Sequence, residues 1–561
     1  LNGLPDDYFI FLENGKRLYG DDTYARINVA KIKRIEILNG ASSALYGTNA
    51  IGGVINIITD DAKNAINVSS DTRYASKGRF TQSVNIDVNT GKFGSYTSYR
   101  RQQAEGWQLN PYEENSKTHE LEETGKVAST GFYANTVNQK FTFDATDKLS
   151  FYARGGYYDN KTRRPYEAYD YNILHETFNY GIGAQYMINK GNYITADCYA
   201  DHFSSSYCFF KDNKTYNGKA GEEQVRKRTR NHNLSIKGIF KLGNRHKLSV
   251  GTEYIVDVLK SQTDNIAKED AYTLALFAQD EIKLLRNLQA LIGVRYIYHE
   301  NFKNHATPNV ALMYKPGKFN FRASYAAGFR TPTLSELYAT DIAKKNDRLT
   351  IGNLDLKPEK NNYFSLSAEY VHERFSVSVN AFYNNIRDMI DYNTIATGDK
   401  AMEQYGHKEV RQRDNIAEAK VHGINVSANA YLGAGFNLSG GYTHLNTQDV
   451  ELEQPIDKSI KNAYNINAQW AHSWKIYRLN INLNGRINSK RFSKSYGYAP
   501  EYQLWDLNTR HSFNLKSVII EPGFGMENLF DYMDDRPYNS NYATLTPGRS
   551  FYISLSLKFK S

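Results

Sequence analysis

From about residue 65 to its end, the chain is written in period-two segments joined by connections that alternate between short and long. The short ones include Asn89-Thr90-Gly91-Lys92, Asn189-Lys190-Gly191-Asn192, Leu242-Gly243-Asn244-Arg245 and Lys315-Pro316-Gly317-Lys318. These are compositions suited to tight turns. Between them fall long polar stretches at 104–136, 159–176, 204–229, 329–362, 391–413 and 530–548. Counting through this rhythm gives about 22 segments. A sandwich or propeller has no reason to sort its loops by parity. A sheet closed across a membrane does, with short turns on one side and long loops on the other. Within the segments Tyr477, Leu479, Ile481, Leu483 and Ile487 alternate with Arg478, Asn480, Asn482, Asn484 and Arg486. Phe551, Ile553, Leu555, Leu557 and Phe559 alternate likewise with Tyr552, Ser554, Ser556 and Lys558. One face suits lipid and the other water. The expected fold is all-β, a transmembrane barrel of about 22 strands.

Composition agrees with that reading. The mean hydropathy is −0.62, and no apolar run of about 18 residues occurs, which excludes a transmembrane helix but not a barrel that averages two unlike faces. The 44 tyrosines fit aromatic girdles at the two membrane interfaces. The net charge is +9, but Lys and Arg are spread among acidic residues rather than clustered, so no nucleic-acid partner is expected. A mildly basic barrel facing anionic lipid or lipopolysaccharide is the plainer account. Cys198 and Cys208 are too few for a disulfide scaffold or a zinc cage, and fit either one bridge or two free thiols. There is no His-Glu-x-x-His, Gly-x-Ser-x-Gly, Walker loop or Cys-x-x-Cys, so no enzyme is expected. No signal peptide is visible.

The stretch Lys33–Thr59 has a different texture. Ile35 and Ile37 alternate up to Asn39-Gly40, a dipeptide that tolerates positive φ. Small residues follow (Ala41 to Ala44), then Leu45-Tyr46-Gly47, Gly52-Gly53 and the apolar run Val54–Ile58. Glycines at such intervals mark backbone packed closely against backbone. Glu36, Gly40, Ser43, Ala44, Tyr46, Gly47 and the run Ala50 to Thr59 closely resemble the end of the plug domain of TonB-dependent outer-membrane receptors. The boundary is drawn near residue 62, with residues 1–62 as the C-terminal part of a plug and 63–561 as the barrel. Gly40, Tyr46, Gly47, Gly52 and Gly53 are the expected structural residues of that plug. Family plugs are usually longer, so the resemblance leaves the early plug and the TonB-contacting box outside this sequence.

A second signature runs from Ala326 to Tyr338, with Phe329-Arg330-Thr331-Pro332, and continues at Gly352-Asn353-Leu354-Asp355-Leu356-Lys357-Pro358-Glu359. It resembles two boxes of receptors for haem, cobalamin and siderophores, departing at Thr331 and Leu354. Alternation assigns Phe319, Phe321, Ala323, Tyr325, Ala327 and Phe329 to the lipid face. Arg330 then points into the lumen near the outer rim, to bind a ligand carboxylate or phosphate or to tie barrel to plug. Haem receptors of the family commonly carry a histidine between these boxes, and residues 333–352 contain none. His119, His175, His202, His305 and His407 lie in or beside other long connections. A third signature, Glu527 to Asp531 with Pro547 to Phe559, resembles the family's last hairpin, although Lys560-Ser561 follow the terminal aromatic.

The resemblance implies powered import of a scarce nutrient through a plugged barrel in the bacterial outer membrane, with TonB as periplasmic partner and a surface lipoprotein as a further candidate. No cofactor is implied. Loop-bound calcium at Asp159, Asp170, Asp534 or Asp535 lacks the spacing of a calcium loop. The missing histidine and compact length favour a corrinoid ligand, with haem next and an iron–siderophore third. An adhesin or passive porin is the rival class. Tyr112, Tyr166, Tyr169, Tyr171, Tyr338 and Tyr405 are the expected ligand-contacting rings, offering flat faces with a polar tip. No arginine cluster is visible along the loops, which argues against a polyanionic ligand.

Overall fold

The computed structural model describes residues 3–560 other than 5–7, 41–46, 48–49, 60–64, 116–117, 344–346 and 543. Tyr46 lies outside the described residues. The wall is a closed sheet of 22 antiparallel strands running from Ile66–Ala75 to Ser550–Lys560. The last strand closes on the first, from Tyr552 opposite Ala75 to Lys560 opposite Asn67. A short hairpin, Thr340–Ala343 with Arg348–Ile351, is an insertion in one loop.

Burial follows alternation and inverts the order of a soluble protein. Leu234, Ile236, Leu274, Leu276, Phe319 and Phe321 are exposed on the outside, while Asp201, Asn231, Arg295 and Asn361 are buried inside. The inward face can stay polar because an N-terminal sheet fills the lumen and supplies partners. That sheet is ordered Lys16–Arg17, Phe9–Glu13, Gly53–Thr59, Ile32–Asn39, with Phe9–Glu13 parallel to Gly53–Ile57.

Two glycines explain why this segment needs residues without side chains. Gly53 has φ +142°, and a Cβ there would collide with the Leu38 carbonyl oxygen. Gly40 has φ +81°, and a Cβ there would enter the ring of Tyr363 on the barrel wall. A Cβ on Gly52 would meet the Phe9 ring at 2.6 Å, and one on Gly47 would stand 3.4 Å from the Arg295 guanidinium. Gly53→Val is therefore expected to unseat the sheet and abolish ligand uptake at normal surface abundance, because a β-branched residue is a genuine outlier at positive φ. Wild-type uptake rates in cells carrying Gly53→Val would contradict this.

Two expectations change, and one left open is decided. The loops are shorter than the sequence indicates because strands project beyond the membrane. The stretch 391–413 is mostly strand, with Phe375–Thr397 and Glu409–Gly433 capped by the helix Gly398–Tyr405. Beyond the lipid both faces meet water, so the ladder continues after the apolar code has stopped. Phe329 is not on the lipid face. The pairing of Phe319–Arg330 with the preceding strand ends at Ala326 opposite Asn309. Past that point Phe329 stacks on His305, ring centroids 4.9 Å apart, and is buried with Ala275 and Ile297. Finally, Cys198 and Cys208 are free thiols. They share one strand, and ten residues at about 3.3 Å each far exceed disulfide reach.

Orientation is testable. In a background with Cys198 and Cys208 replaced by serine, a single cysteine at Asn115 or Asp399 should react with an impermeant maleimide on whole cells, and one at Gly317 should not. The reverse pattern would invert the barrel.

Candidate functional site

The two central sequence boxes fold into one buried ionic unit. Pro332 has no N–H and ends the strand ladder. Thr333 then caps the helix Leu334–Tyr338 in a capping box with Glu336, the Thr-x-x-Glu pattern that satisfies two orphan donors at once. The Glu336 carboxylate also takes Arg330 in a two-pronged pair at 2.9 and 3.0 Å. Glu359, from the second box, accepts from Arg330 at 2.5 Å and from the Ile390 amide at 2.9 Å. From the lumen sheet, Tyr8 donates its hydroxyl to Glu359 at 3.2 Å, and the Arg330 guanidinium lies 5.5 Å from the Tyr8 ring centre. Arg330 is 4% exposed and Glu359 0%. Burial would raise the Glu336 carboxyl, but Arg330 outweighs it and holds the group below the usual carboxylate range. Arg330 thus pairs with two barrel carboxylates rather than with an acid of the lumen sheet. The link to that sheet runs through Tyr8.

Further ion pairs lock the lumen sheet to the wall. Arg26 meets Asp201 at 3.0 Å with both buried, and the Tyr19 amide donates to the same carboxylate at 2.9 Å. Arg154 pairs with Glu13 at 2.7 Å, Lys16 with Asp197 at 2.9 Å and His175 with Asp22 at 2.8 Å.

Above this unit sits an arginine cavity that the sequence conceals. Arg348–Ile351 pairs in parallel with Glu409–Gln412. Alternation puts Arg348, Thr350, Arg411 and Arg413 on one face. Leu349, Ile351 and Val410 fall on the other, packed with Ala401 and Tyr405 of the helix. The arginines line a cavity of about 150 Å³ with Tyr392, Ser335 and Asp341. Arg413 lies flat over Tyr392, 3.6 Å from its ring centre. Arg411 Nε donates to Glu409 at 2.5 Å, whereas the buried Arg348 Nε has no partner among the described residues. Burial, then the neighbouring Asp264, raises the Asp341 carboxyl. The cavity lining sets three planar cationic donors against two carboxylates, Asp264 and Asp341, a donor set suited to an anion.

A second group lies on another arc of the same rim. Arg164 spans Tyr169 and Tyr171 at 3.8 and 4.9 Å. Tyr171 stacks on Tyr207 at 4.1 Å and meets Tyr216 edge-on at 5.7 Å. Arg226 lies 4.9 Å from Tyr216, and Lys211 covers Tyr166 at 3.9 Å. Of the expected rings, Tyr166, Tyr169 and Tyr171 are therefore brought together, each against a cation. Tyr112 is exposed on a separate hairpin, Tyr112–Glu114 with Leu121–Glu123, which docks on the last loop through the Tyr538 amide at 2.7 Å. Tyr338 packs with Leu337, Leu356 and Ile390, and Tyr405 beneath the Arg348 hairpin. Both support loops. Among the histidines, His175 and His407 bond Asp22 and Asp347, and His305 stacks on Phe329. Asp159, Asp170 and Asp534 have separate partners, Asn135, Asn213 and Arg536.

Residues 81–529 match the family described as TonB dependent receptor-like, beta-barrel, and residues 1–54 match the TonB-dependent Receptor Plug Domain. Among solved structures the chain resembles a mutant of the ferric enterobactin receptor of Pseudomonas aeruginosa (TM-score 0.84, 16% identity, covering 99% of this chain and 91% of that one). It also resembles the siderophore receptor PirA of Acinetobacter baumannii (0.80, 16%, 100% and 92%) and the copper transporter OprC (0.79, 12%, 100% and 91%). At these identities the likeness is one of fold. The family matches cover most of the chain, which belongs to the TonB-dependent receptors of the bacterial outer membrane.

Proposed function

We propose that this receptor imports an anionic iron–siderophore chelate, with residues 1–62 acting as plug and 63–561 as barrel. The observation that carries the reading is the convergence of Arg348, Arg411 and Arg413 on one cavity. A ferric chelate built from catecholates or hydroxycarboxylates carries net negative charge and flat rings. Arginine forks hold the charge and the Tyr166–Tyr169–Tyr171 group offers faces for the rings. A corrinoid, amide-rich and without net anionic charge, makes no use of three arginines, so the corrinoid expectation gives way. The siderophore receptors among the similar folds support the same choice. Arg330 serves this function by fixing the loop 331–358 and the plug, not by touching the ligand. TonB couples the plug to inner-membrane energy, the mode of work of this family. A surface lipoprotein remains a candidate partner.

Binding to purified receptor in detergent, followed by protein fluorescence, tests the reading. Ferric enterobactin, cyanocobalamin and haemin are the probes. Binding of the ferric catecholate at micromolar concentration or below is expected, without binding of the corrinoid. Cyanocobalamin binding with no response to the catecholate would overturn the proposal.

A further inference from the structure

The arginine cavity also holds acids, and they decide how its charge can change. Thr340–Ala343 pairs with Arg348–Ile351 so that Asp341 stands directly opposite Thr350, on the face that carries Arg348. From the turn after His246–Ser261, Asp264 lines the same cavity. Its backbone carbonyl accepts from the Thr340 amide at 2.7 Å, which holds the Asp341 strand against it. Its carboxylate accepts from the Ser335 hydroxyl at 3.1 Å. Neither Asp264 nor Asp341 forms an ion pair among the described residues. A third carboxylate, Glu409, pairs with Arg411 across the cavity. Arg413 acts on Glu336 as well, but that group is already paired with Arg330. Tyr392 is the remaining titratable side chain of the lining. Three guanidiniums thus face three carboxylates, Asp264, Asp341 and Glu409, and the fully ionised set carries no excess of positive charge.

Size limits what enters. A cavity of about 150 Å³ is smaller than the roughly 300–1,000 Å³ of sites that enclose a whole drug-sized ligand. It suits one anionic arm of a chelate, or an ion as small as sulfate. Such a group takes the guanidinium forks for itself. Asp341 then loses the attraction of Arg348 and gains a like charge beside it. Both changes favour its neutral form, in the direction in which burial and then Asp264 already push this carboxyl. Asp264 is the less ready to yield, because the Ser335 hydroxyl donates to it.

We propose that Asp341, backed by Asp264, makes anion binding in this cavity proton-coupled. One proton from solvent goes onto the Asp341 carboxylate for each anion held by Arg348, Arg411 and Arg413. The inference rests on the reading of this cavity as the ligand site. Neutralising one of the three carboxylates leaves the guanidiniums in excess and removes the repulsion that the anion would meet. The two acids therefore select for an anion that arrives with a proton. The sign follows from linkage: a carboxyl whose value is raised by the ligand strengthens binding as pH falls through the raised value. The gain levels off below the ligand-free value.

The test titrates sulfate and ferric enterobactin calorimetrically into the receptor in detergent. Buffers of different ionisation enthalpy report the protons taken up. Sulfate keeps its charge at these pH values, so any such proton belongs to the protein. The wild type should bind sulfate about fivefold more tightly at pH 5 than at pH 7, with up to one proton taken up. Asp341→Asn should take up none, and at pH 7 should bind about as tightly as the wild type at pH 5. Sulfate binding should disappear in the R348Q/R411Q/R413Q variant, which assigns it to the cavity. Asp341 is exposed on its hairpin and the substitution is isosteric, so the barrel folds, as heat-modifiable migration in SDS gels will report. Sulfate affinity independent of pH, or an Asp341→Asn receptor with the wild-type pH slope, would overturn the proposal. Ferric enterobactin separates this from the chelate reading. If it fails to bind while sulfate binds with proton uptake, the acid pair stands and the chelate reading falls. If it binds through the arginines with the same pH dependence in wild type and Asp341→Asn, the chelate reading stands and the acid pair falls.

Discussion

Replacing Arg330 with methionine is expected to loosen the 331–358 loop and the plug together, at a cost of about 3–5 kcal/mol, the usual penalty for stranding buried charge. Glu336 and Glu359 would then face each other without the guanidinium that pairs them, and the Tyr8 bond to Glu359 would lose the cation beside it. Limited proteolysis should show new cleavage within 331–358, and the urea midpoint should fall. Acid should act in the same direction. The Glu336 carboxyl is held below its ordinary range, so its contribution is fully present above the unfolded value. It is lost as pH falls through the lower folded value. An Arg330→Met receptor with unchanged protease resistance and stability would show that the unit is not what holds the loop.

The second large effect concerns affinity. Substituting Arg348, Arg411 and Arg413 together by glutamine should weaken binding of a ferric catecholate by about 100-fold or more, taking about 1.5–3 kcal/mol for each hydrogen bond to a charged group with partial overlap. The salt dependence of binding should flatten as well, because exposed charges act through a screened field. Retention of wild-type affinity and salt slope would move the ligand site away from this cavity.

The barrel was legible because its code is local. Alternation along Tyr477–Asn488 or Ser550–Lys560 reports the lipid face directly, and connection length reports the side of the membrane. The plug end was legible from glycines whose necessity is steric, Gly53 against Leu38 and Gly40 against Tyr363. The site was less so. Arg348 and Arg411 stand 63 residues apart (411 − 348), and meet through a parallel pairing inside a loop that no periodicity announces. The alternation Arg411-Gln412-Arg413 was a trace of it, hidden because strands above the membrane lose their apolar face. Arg330 was singled out while its partners Glu336 and Glu359 were not, although Thr333-x-x-Glu336 is a readable capping pattern. Tyr338 and Tyr405 looked like ligand rings because sequence gives exposure by loop, whereas packing decides it side chain by side chain.

Powered uptake of an anionic ferric chelate through this barrel is measured by the accumulation of radiolabelled iron supplied as ferric enterobactin. In cells whose other siderophore receptors are deleted, that accumulation should depend on this receptor. Accumulation should stop with a protonophore or on deletion of TonB, and fall steeply in the triple arginine variant. Accumulation that persists without membrane potential, or none at all while cyanocobalamin enters through the same protein, would contradict it.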